Sequence, residues 1–261
     1  GADNDEVDAS GITSGHRVVF NGNDGDDTFV SGAGNDVFDG GNDNDTAVLS
    51  GSFADYTFTG TAGNFTAART GETDTIINVE TVTLSDGTFT AAELFADVKV
   101  FNGTTFVGGF DTIQEAIDDA DTLDGYRIEV AAGTYNENIV IDKELTLEGA
   151  QAGNSAEAAA RGGGESTING GGTFSVMVLA DNVTIDGFEL TNFGRDGVNV
   201  RTLEDAKPGD PSIGAYRTDV TVANNWIHSD ATTGQRNGVV VGEFTGGTAT
   251  SAETAEVHNF V

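Results

Sequence analysis

The sequence contains no cysteine, so no disulfide bond can hold any part of the chain together. An exported protein of 261 residues must then depend on packing, backbone ladders or bound metal ions. Proline is nearly absent, with two residues, whereas glycine is abundant, with 37. This balance favours many tight turns between short strands over disorder.

Positive charge is also scarce, since 11 Lys and Arg stand against 43 Asp and Glu and the net charge is −32. Such a surface repels nucleic acids and anionic membranes, which excludes both as default partners. No apolar run is long enough to span a bilayer, so no membrane insertion is expected. The chain has no signal peptide and begins within a repeat, which indicates a piece of a longer exported polypeptide.

Gly, Asp and Asn recur with a period of nine between residues 22 and 48. The three units are GNDGDDTFV, SGAGNDVFD and GGNDNDTAV. Their sixth residues are Asp27, Asp36 and Asp45, and their eighth residues are Phe29, Phe38 and Ala47. An acidic flexible linker is the alternative interpretation, but a linker has no reason to keep aromatic residues in phase with Asp.

The period has a direct structural meaning. Gly and Asn tolerate positive φ, so the first six residues of each unit make a turn and the last three a short strand. One unit is then half a coil, and eighteen residues bring the chain back over itself. Asp27 and Asp45 are therefore expected to stack on one edge, with Asp36 on the other. Asp5 fits the same pattern, provided that an insertion lies near residues 10–14.

A carboxylate joined by carbonyls of its own turn and of the stacked turn offers Ca²⁺ the roughly six to eight hard oxygens that it prefers. The position that stacks on Asp36 holds Val18, so we expect Asp36 to contribute less than Asp45. The predicted calcium ligands lie in the turns of the three units: Asn23, Gly25, Asp27, Gly32, Gly34, Asp36, Gly41, Asp43 and Asp45.

These units resemble the calcium-binding repeats of secreted RTX (hemolysin-type) proteins. The phrase DTIINVETVTLSDGTF (74–89), within a segment that alternates apolar and polar residues, resembles the strand-rich cap that commonly follows such repeats. The resemblance covers residues 21–95, less than a third of the chain. It implies a β-roll that binds Ca²⁺, followed by a cap of antiparallel strands.

The rest of the chain has a different pattern. Residues 98–107 indicate a hairpin, and DTIQEAIDDA (111–120) indicates a helix with Asp111 or Thr112 as its cap and an apolar stripe of Ile113, Ala116, Ile117 and Ala120. A helix followed by EVAAGTY resembles the start of right-handed parallel β-helix domains of the pectin-lyase-like kind.

Internal repeats support that resemblance, because apolar segments align at offsets of 22, 37, 38 and 41 residues, as expected for a coil of about 22 residues with inserted loops. The alignment predicts three rows of stacked strands. The first row holds 138–141, 176–178, 198–200 and 239–241, the second 128–130, 145–147, 183–185, 220–222 and 256–258, and the third 133–135, 166–168, 188–190 and 225–227. Asn225 falls opposite Phe188, where an inward Asn can bond to the backbone of the next coil. The insertions are near 151–165, 202–218 and 243–254.

Secreted RTX proteins with parallel β-helices include polysaccharide lyases and uronate epimerases, which need a cation and a proton-accepting base. Five of the eleven basic residues lie between 195 and 236. The catalytic candidates are Arg201, Lys207, Tyr216 and His228. Local pairing of these residues with neighbouring acids on a solvated face is the alternative. Trp226 either stacks on a sugar or packs as a half-buried coil residue.

The predicted fold is all-β: an RTX β-roll with a β-rich cap (1–97), then a right-handed parallel β-helix with an N-terminal capping helix (98–261). The predicted function is a calcium-stabilised structural or adhesive module of a large bacterial surface, S-layer or filament protein, located outside the cell. An enzyme acting on acidic polysaccharide and a non-catalytic carbohydrate-binding module are the alternatives. Expected partners are calcium, further coils or a second copy at the uncovered last coil, and polysaccharide.

Overall fold

The fold is all-β, as predicted. The computed structural model describes residues 1–13, 15–156, 164–201, 218–228, 237–241 and 255–258. These residues form 25 strands, two short α-helices and one 3₁₀ turn. The chain divides into two compact units, Gly1–Gly109 and Phe110–Val261, so the hairpin that begins at Val98 lies in the first unit.

The first unit is built from short strands that alternate with turns of Gly, Asn and Asp. Its strands are β1 (Glu6–Asp8), β2 (Val19–Asp24), β3 (Thr28–Val30), β4 (Val37–Asn42), β5 (Thr46–Val48), β6 (Thr57–Thr61), β7 (Asn64–Arg69), β8 (Glu72–Ile77), β9 (Thr81–Leu84), β10 (Gly87–Thr90), β11 (Val98–Asn102) and β12 (Thr105–Phe110). A 3₁₀ turn covers Phe53–Asp55 and helix α1 covers Ala91–Phe95.

Successive strands of the repeat region alternate between two sheets. One sheet has the order β1-β3-β5-β9-β10 and the other β2-β4-β8-β7-β6. Phe29 pairs with Ala47, and Phe20 pairs with Phe38, which confirms the return after eighteen residues. Val7 pairs with Phe29, 22 residues on, in agreement with an insertion before β2. Phe29, Phe38 and Ala47 are buried, and the rings of Phe20 and Phe38 stack 5.3 Å apart.

The segment after the repeats differs from the prediction of antiparallel strands alone. β8 and β9 pair in parallel with β4 and β5, and they pair antiparallel with β7 and β10 on their other sides. The phrase TIINVETV therefore continues the two parallel sheets, because Ile76 and Val82 enter the core where Phe38 and Ala47 enter it in the coil before. Helix α1 was not predicted; Thr90 caps it by accepting the N–H of Glu93.

The second unit begins with helix α2 (Ile113–Asp118), which is shorter than predicted. Thr112 caps it, and Ile113, Ala116 and Ile117 are buried as expected. The backbone turns extended at Asp119 (ψ 139°), so Ala120 falls outside the helix and is exposed. The strands that follow are β13 (Tyr126–Val130), β14 (Gly133–Tyr135), β15 (Ile139–Ile141), β16 (Leu145–Glu148), β17 (Ser166–Asn169), β18 (Phe174–Val178), β19 (Thr184–Asp186), β20 (Phe188–Thr191), β21 (Asp196–Val200), β22 (Val220–Ala223), β23 (Trp226–Ile227), β24 (Asn237–Val241) and β25 (Ala255–His258).

These strands visit three parallel sheets in turn, and the three predicted rows are confirmed. Within this unit the sheets have the orders β13-β16-β19-β22-β25, β14-β17-β20-β23 and β15-β18-β21-β24. The 22-residue coil appears where Ser166 pairs with Phe188 and Val176 with Val198. The inward residues are aliphatic and fully buried, as at Val198 and Ile185. The inserted loops lie largely outside the described residues.

Asn225 has the predicted role of an inward polar residue at a bend. It is buried, with 6% of its surface exposed. Its Oδ1 accepts the N–H of Phe188 at 2.8 Å, and its Nδ2 donates to the carbonyl of Ile185 at 2.8 Å. The side chain therefore completes the backbone bonding of the neighbouring coil where the ladder is interrupted.

Candidate metal centre

One edge of the first unit, which we call the first edge, carries a stack of four acidic residues: Asp5, Asp27, Asp45 and Glu80. The carboxylates of the last three each accept a backbone N–H of the coil before. Asp5 N donates to Asp27 Oδ1 at 2.7 Å, and Asp27 N donates to Asp45 Oδ1 at 2.8 Å. Asp45 N donates to Glu80 Oε2 at 2.9 Å. The predicted stacking of Asp27 and Asp45 is confirmed, and each uses one carboxylate oxygen to hold the coil before it in register.

The second carboxylate oxygens of this edge are different. Asp27 is 1% exposed and Asp45 0% exposed, yet the Oδ2 atoms of both have no hydrogen-bond partner among the described residues. Burial, followed by the charges of Asp27, Glu80 and Asp26, raises the pKa of Asp45, against the opposing effect of the N–H of Asp27. A buried carboxylate oxygen without a donor is costly, so this edge has the chemistry that a bound cation would compensate.

Backbone carbonyls face the same space as these two oxygens. A Cβ added to Gly22 would lie 1.9 Å from Asp27 Oδ2 and 2.4 Å from the carbonyl oxygen of Gly40. A Cβ added to Gly40 would lie 2.3 Å from Asp45 Oδ2 and 2.3 Å from the carbonyl oxygen of Asn78. Each glycine thus leaves room in which a carboxylate oxygen and a carbonyl oxygen of the next coil converge.

This donor set fits calcium. Ca²⁺ takes carboxylate and carbonyl oxygens in flexible geometry. Within the described parts of the chain, no group of three or more His, Cys, Asp or Glu side chains is arranged to hold a metal by itself. Any ion at this edge would therefore be held by one or two carboxylates and several backbone carbonyls.

The other predicted ligands of the first edge shape its turns. Asn23, Gly25, Gly41 and Asp43 all have positive φ, between 79° and 111°. The carbonyl of Asn23 lies against Gly41, where a Cβ would approach it to 2.1 Å. The Asp43 carboxylate is exposed and accepts the N–H of Gly25 at 3.2 Å. These residues bring the turns of successive coils together.

The opposite edge, which we call the second edge, carries Asp36 and Asp74, and their carboxylate oxygens have more hydrogen-bond donors. Val18 N donates to Asp36 Oδ1 at 2.8 Å, and Asp36 N donates to Asp74 Oδ1 at 2.9 Å, so Val18 lies where predicted. Ser31 Oγ donates to Asp74 Oδ2 at 2.8 Å and lies 3.4 Å from Asp36 Oδ2. The N–H of Gly32 is also 3.4 Å from Asp36 Oδ2. Ser31 therefore supplies a hydroxyl donor at the repeat position where the first edge has Gly22 and Gly40.

Asp74 is buried, and this burial raises its pKa to about 6. The charges of Asp36 and Glu72 add to the increase, whereas the N–H of Asp36 and the hydroxyl of Ser31 oppose it. Of the other predicted ligands here, Gly32 lies against the carbonyl of Ala9 and Gly34 against that of His16. The coil before thus offers carbonyls to this edge as well.

Sequence reasoning missed two members of these stacks, Glu80 and Asp74. They follow Asp45 by 35 residues and Asp36 by 38, so neither continues the period of nine. The available signal was local: Asp74 and Glu80 directly precede the tripeptides TII and TVT, as Asp27 and Asp45 precede TFV and TAV.

Two of the four catalytic candidates, Lys207 and Tyr216, lie outside the described residues. His228 Nε2 lies 2.7 Å from Glu189 Oε1, and its ring centroid is 4.3 Å from that of Trp226. Arg201 follows β21, and its N–H donates to the carbonyl of Val178 at 3.0 Å. Convergence of the four in one groove would favour the enzyme alternative, and two of them lie outside the described part of the chain.

Comparison with known proteins finds a cell surface glycoprotein of Methanothermus fervidus that is 32% identical over 136 residues. The aligned part is 51% of this chain and 18% of that protein, so the chain spans less than a fifth of its relative. No family model matches the chain. Among the described residues, no helix is long and apolar enough to cross a membrane.

Proposed function

We propose that the chain is a calcium-stabilised structural module of a large cell-surface protein. In this proposal the first unit is an RTX-like β-roll that folds around Ca²⁺, and the second is a right-handed parallel β-helix held by its aliphatic stacks. The observation that carries the proposal is the pair of buried oxygens Asp27 Oδ2 and Asp45 Oδ2, which have no hydrogen-bond donor in the described part of the chain and each lie beside a carbonyl of the next coil.

The surface location rests on separate support. The relative named a cell surface glycoprotein is similar to half of this chain, and the net charge of −32 suits a medium rich in cations. The arrangement of the strands also supports a scaffold, because stacked coils extend by repetition and build long, stiff modules.

Circular dichroism of the full chain tests the calcium requirement. In EDTA we expect the strand signal of the first unit to be lost, and millimolar Ca²⁺ should restore it, because an ion that binds only the folded state stabilises it by mass action. Magnesium at the same concentration is the control, since it demands octahedral geometry and gives up its water reluctantly. Identical spectra and melting curves in EDTA and calcium would contradict the proposal.

Carbohydrate binding at the outer face of the β14-β17-β20-β23 sheet is the second candidate function. Trp226 is 37% exposed and lies against His228, and Glu189 beside them offers a carboxylate to sugar hydroxyls. Trp226 is the single tryptophan of the chain, so its fluorescence reports on this face alone. Titration with neutral and acidic oligosaccharides should change the emission. An unchanged emission at millimolar sugar would remove this candidate.

A further inference from the structure

Four Asn-x-Thr motifs occur in the chain, and the fold gives them different surroundings. They are Asn44-Asp45-Thr46, Asn64-Phe65-Thr66, Asn102-Gly103-Thr104 and Asn182-Val183-Thr184. This motif is the acceptor for N-linked glycosylation in exported proteins. We propose that Asn64 and Asn102 carry N-linked glycans in the mature protein, and that Asn44 and Asn182 do not. The inference rests on the proposed surface location, because the modification belongs to exported chains.

Asn64 lies beside the turn of a hairpin. It is the first residue of β7, follows the two-residue turn Ala62–Gly63, and is exposed. Thr66, two residues later, lies on the same face of the strand because side chains alternate. Its hydroxyl is partly exposed, and the one bond that it donates, to the carbonyl of Thr59, is long, at 3.4 Å. The acceptor amide and the required hydroxyl thus share one accessible face.

Asn102 lies at the turn between β11 and β12. It is the last residue of β11, and the turn that leads to β12 consists of Gly103 and Thr104. All three residues are exposed, and Gly103 has φ 61°. The whole motif therefore projects from the end of the hairpin, where a bulky glycan extends into solvent without displacing a buried residue.

Asn44 and Asn182 lie instead at bends between stacked coils. The N–H of Asn44 donates to Asp26 of the coil before, and the next residue is the buried Asp45 of the first edge. Asn182 has φ 53°, and its N–H donates to the carbonyl of Thr218 in the next coil. Neighbouring coils are about 4.8 Å away on such a ladder. A glycan here would press against adjacent turns, and at Asn44 it would crowd the proposed calcium edge.

The glycan comes from a donor of a known chemical class, a sugar activated as a glycosyl phosphate or diphosphate. The side-chain amide nitrogen forms a bond to the anomeric carbon, and the bond between that carbon and the phosphate oxygen breaks. The amide gives up one proton, and the phosphate or diphosphate leaves with the bonding electron pair. No oxidant or reductant takes part.

Mass spectrometry of peptides from the full-length protein, purified from the cells that make it, tests the inference. We expect a glycan mass on the peptides that contain Asn64 and Asn102 and none on those that contain Asn44 and Asn182. Thr66→Ala and Thr104→Ala should each remove the glycan from the matching Asn, whereas Thr66→Ser and Thr104→Ser, which keep the motif, should retain it.

The location is measured separately by protease treatment of intact cells. If the protein is at the surface and the peptides of Asn64 and Asn102 have unmodified masses, the inference is overturned while the proposed function stands. Glycans at Asn44 or Asn182 in place of the hairpin sites also overturn it. A protein that intact cells protect from protease contradicts the proposed function instead.

Discussion

At the scale of single residues, the two edges of the first unit handle the same problem in different ways. Each edge buries aspartates whose first oxygen accepts a backbone N–H of the coil before. On the first edge the second oxygen has no donor among the described residues, whereas on the second edge Ser31 provides one. Asp45 should therefore bind calcium more strongly than Asp36.

Asp45→Asn and Asp36→Asn form a matched pair that tests this difference. Both changes keep an oxygen that accepts the backbone N–H of the coil before, and both remove the charge. We expect Asp45→Asn to weaken calcium binding by about tenfold or more, equivalent to roughly 1.4 kcal/mol, and Asp36→Asn to have a smaller effect. Isothermal titration calorimetry measures both. Equal losses of affinity would contradict the assignment of the ion to the first edge.

Gly40 is expected to be intolerant of any side chain. A Cβ there would lie 2.3 Å from both Asp45 Oδ2 and the carbonyl oxygen of Asn78, so Gly40→Ala must displace the two oxygens. We expect a loss of roughly 1–3 kcal/mol in the free energy of unfolding, together with weaker calcium binding. Gly63→Ala is the control, because none of the described atoms lies within 4 Å of its added methyl group. Similar calcium affinities for both variants would contradict a calcium site formed by Asp45 Oδ2 and the carbonyl oxygen of Asn78.

Asp74 makes the stability of the first unit depend on pH. Its folded-state pKa is about 6, above the ordinary value of 3.8, so the folded state binds more protons between these values. The stability that Asp74 contributes is therefore present below pH 4 and is lost as the pH rises through 6. By pH 7 the loss is roughly 2–3 kcal/mol.

Asp74→Asn should remove this dependence, because Asn keeps the acceptor for Asp36 N and never ionises. In urea unfolding measured in EDTA, the variant should gain stability relative to the parent between pH 4.5 and pH 7. A difference between the two proteins that stays constant over this range would show that Asp74 does not titrate there.

At the scale of elements, neighbouring coils of the second unit are joined by the side chain of Asn225 as well as by backbone hydrogen bonds between strands. Asn225 precedes the two-residue strand β23, where the backbone hydrogen bonds between coils are interrupted. Its side chain accepts the N–H of Phe188 and donates to the carbonyl of Ile185 in their place. A buried amide in an aliphatic stack is tolerated here because both of its ends are bonded to backbone groups.

Asn225→Ala should destabilise the second unit by roughly 2–4 kcal/mol, because it leaves a buried N–H and a buried carbonyl without partners. Asn169→Ala is the control, because Asn169 is partly exposed and its Nδ2 donates to the side-chain oxygen of Asn136 rather than to backbone. Thermal melting of the second unit measures both. A melting temperature that Asn225→Ala leaves unchanged would contradict the role given to its two bonds.

At the scale of the whole molecule, the two units should respond differently to calcium. The first has few large apolar residues per coil and buries acids, whereas the second buries continuous stacks such as Val176, Val198 and Ile185. Removing calcium should therefore lower the melting temperature of the first unit and leave that of the second almost unchanged.

Val198→Asp separates the two transitions in a calorimetric scan. Val198 is fully buried, so the new carboxylate would be unpaired in an aliphatic stack, and the transition of the second unit should disappear in calcium and in EDTA alike. The calcium-dependent transition of the first unit should remain. Thr184→Asp, at a partly exposed outward position, is the control. A normal second transition in Val198→Asp would mean that this row is not structurally required.

The sequence by itself determined the register of the repeats and the three rows of the second unit. Both depend on a short period of apolar residues. The sequence shows the period of the inward side chains whatever conformation the connecting turns adopt. Phe29, Phe38 and Val198 are buried for this reason, and Asn225 was placed correctly because it falls in phase with them. The helix boundary and the cap were less predictable, since they depend on backbone angles and pairing partners outside any repeat.

Only the tertiary structure decided which acids complete the two edges and which of their oxygens lack a donor. Glu80 and Asp74 join the stacks from a cap that lies 35 and 38 residues beyond their partners, a separation that no repeat encodes. The donor at the second edge is one hydroxyl, Ser31 Oγ, and its bond to Asp74 exists only because folding brings residues 43 positions apart into contact. Hydrogen bonding depends on distances of tenths of an ångström, and a sequence period specifies order along the chain but not such distances.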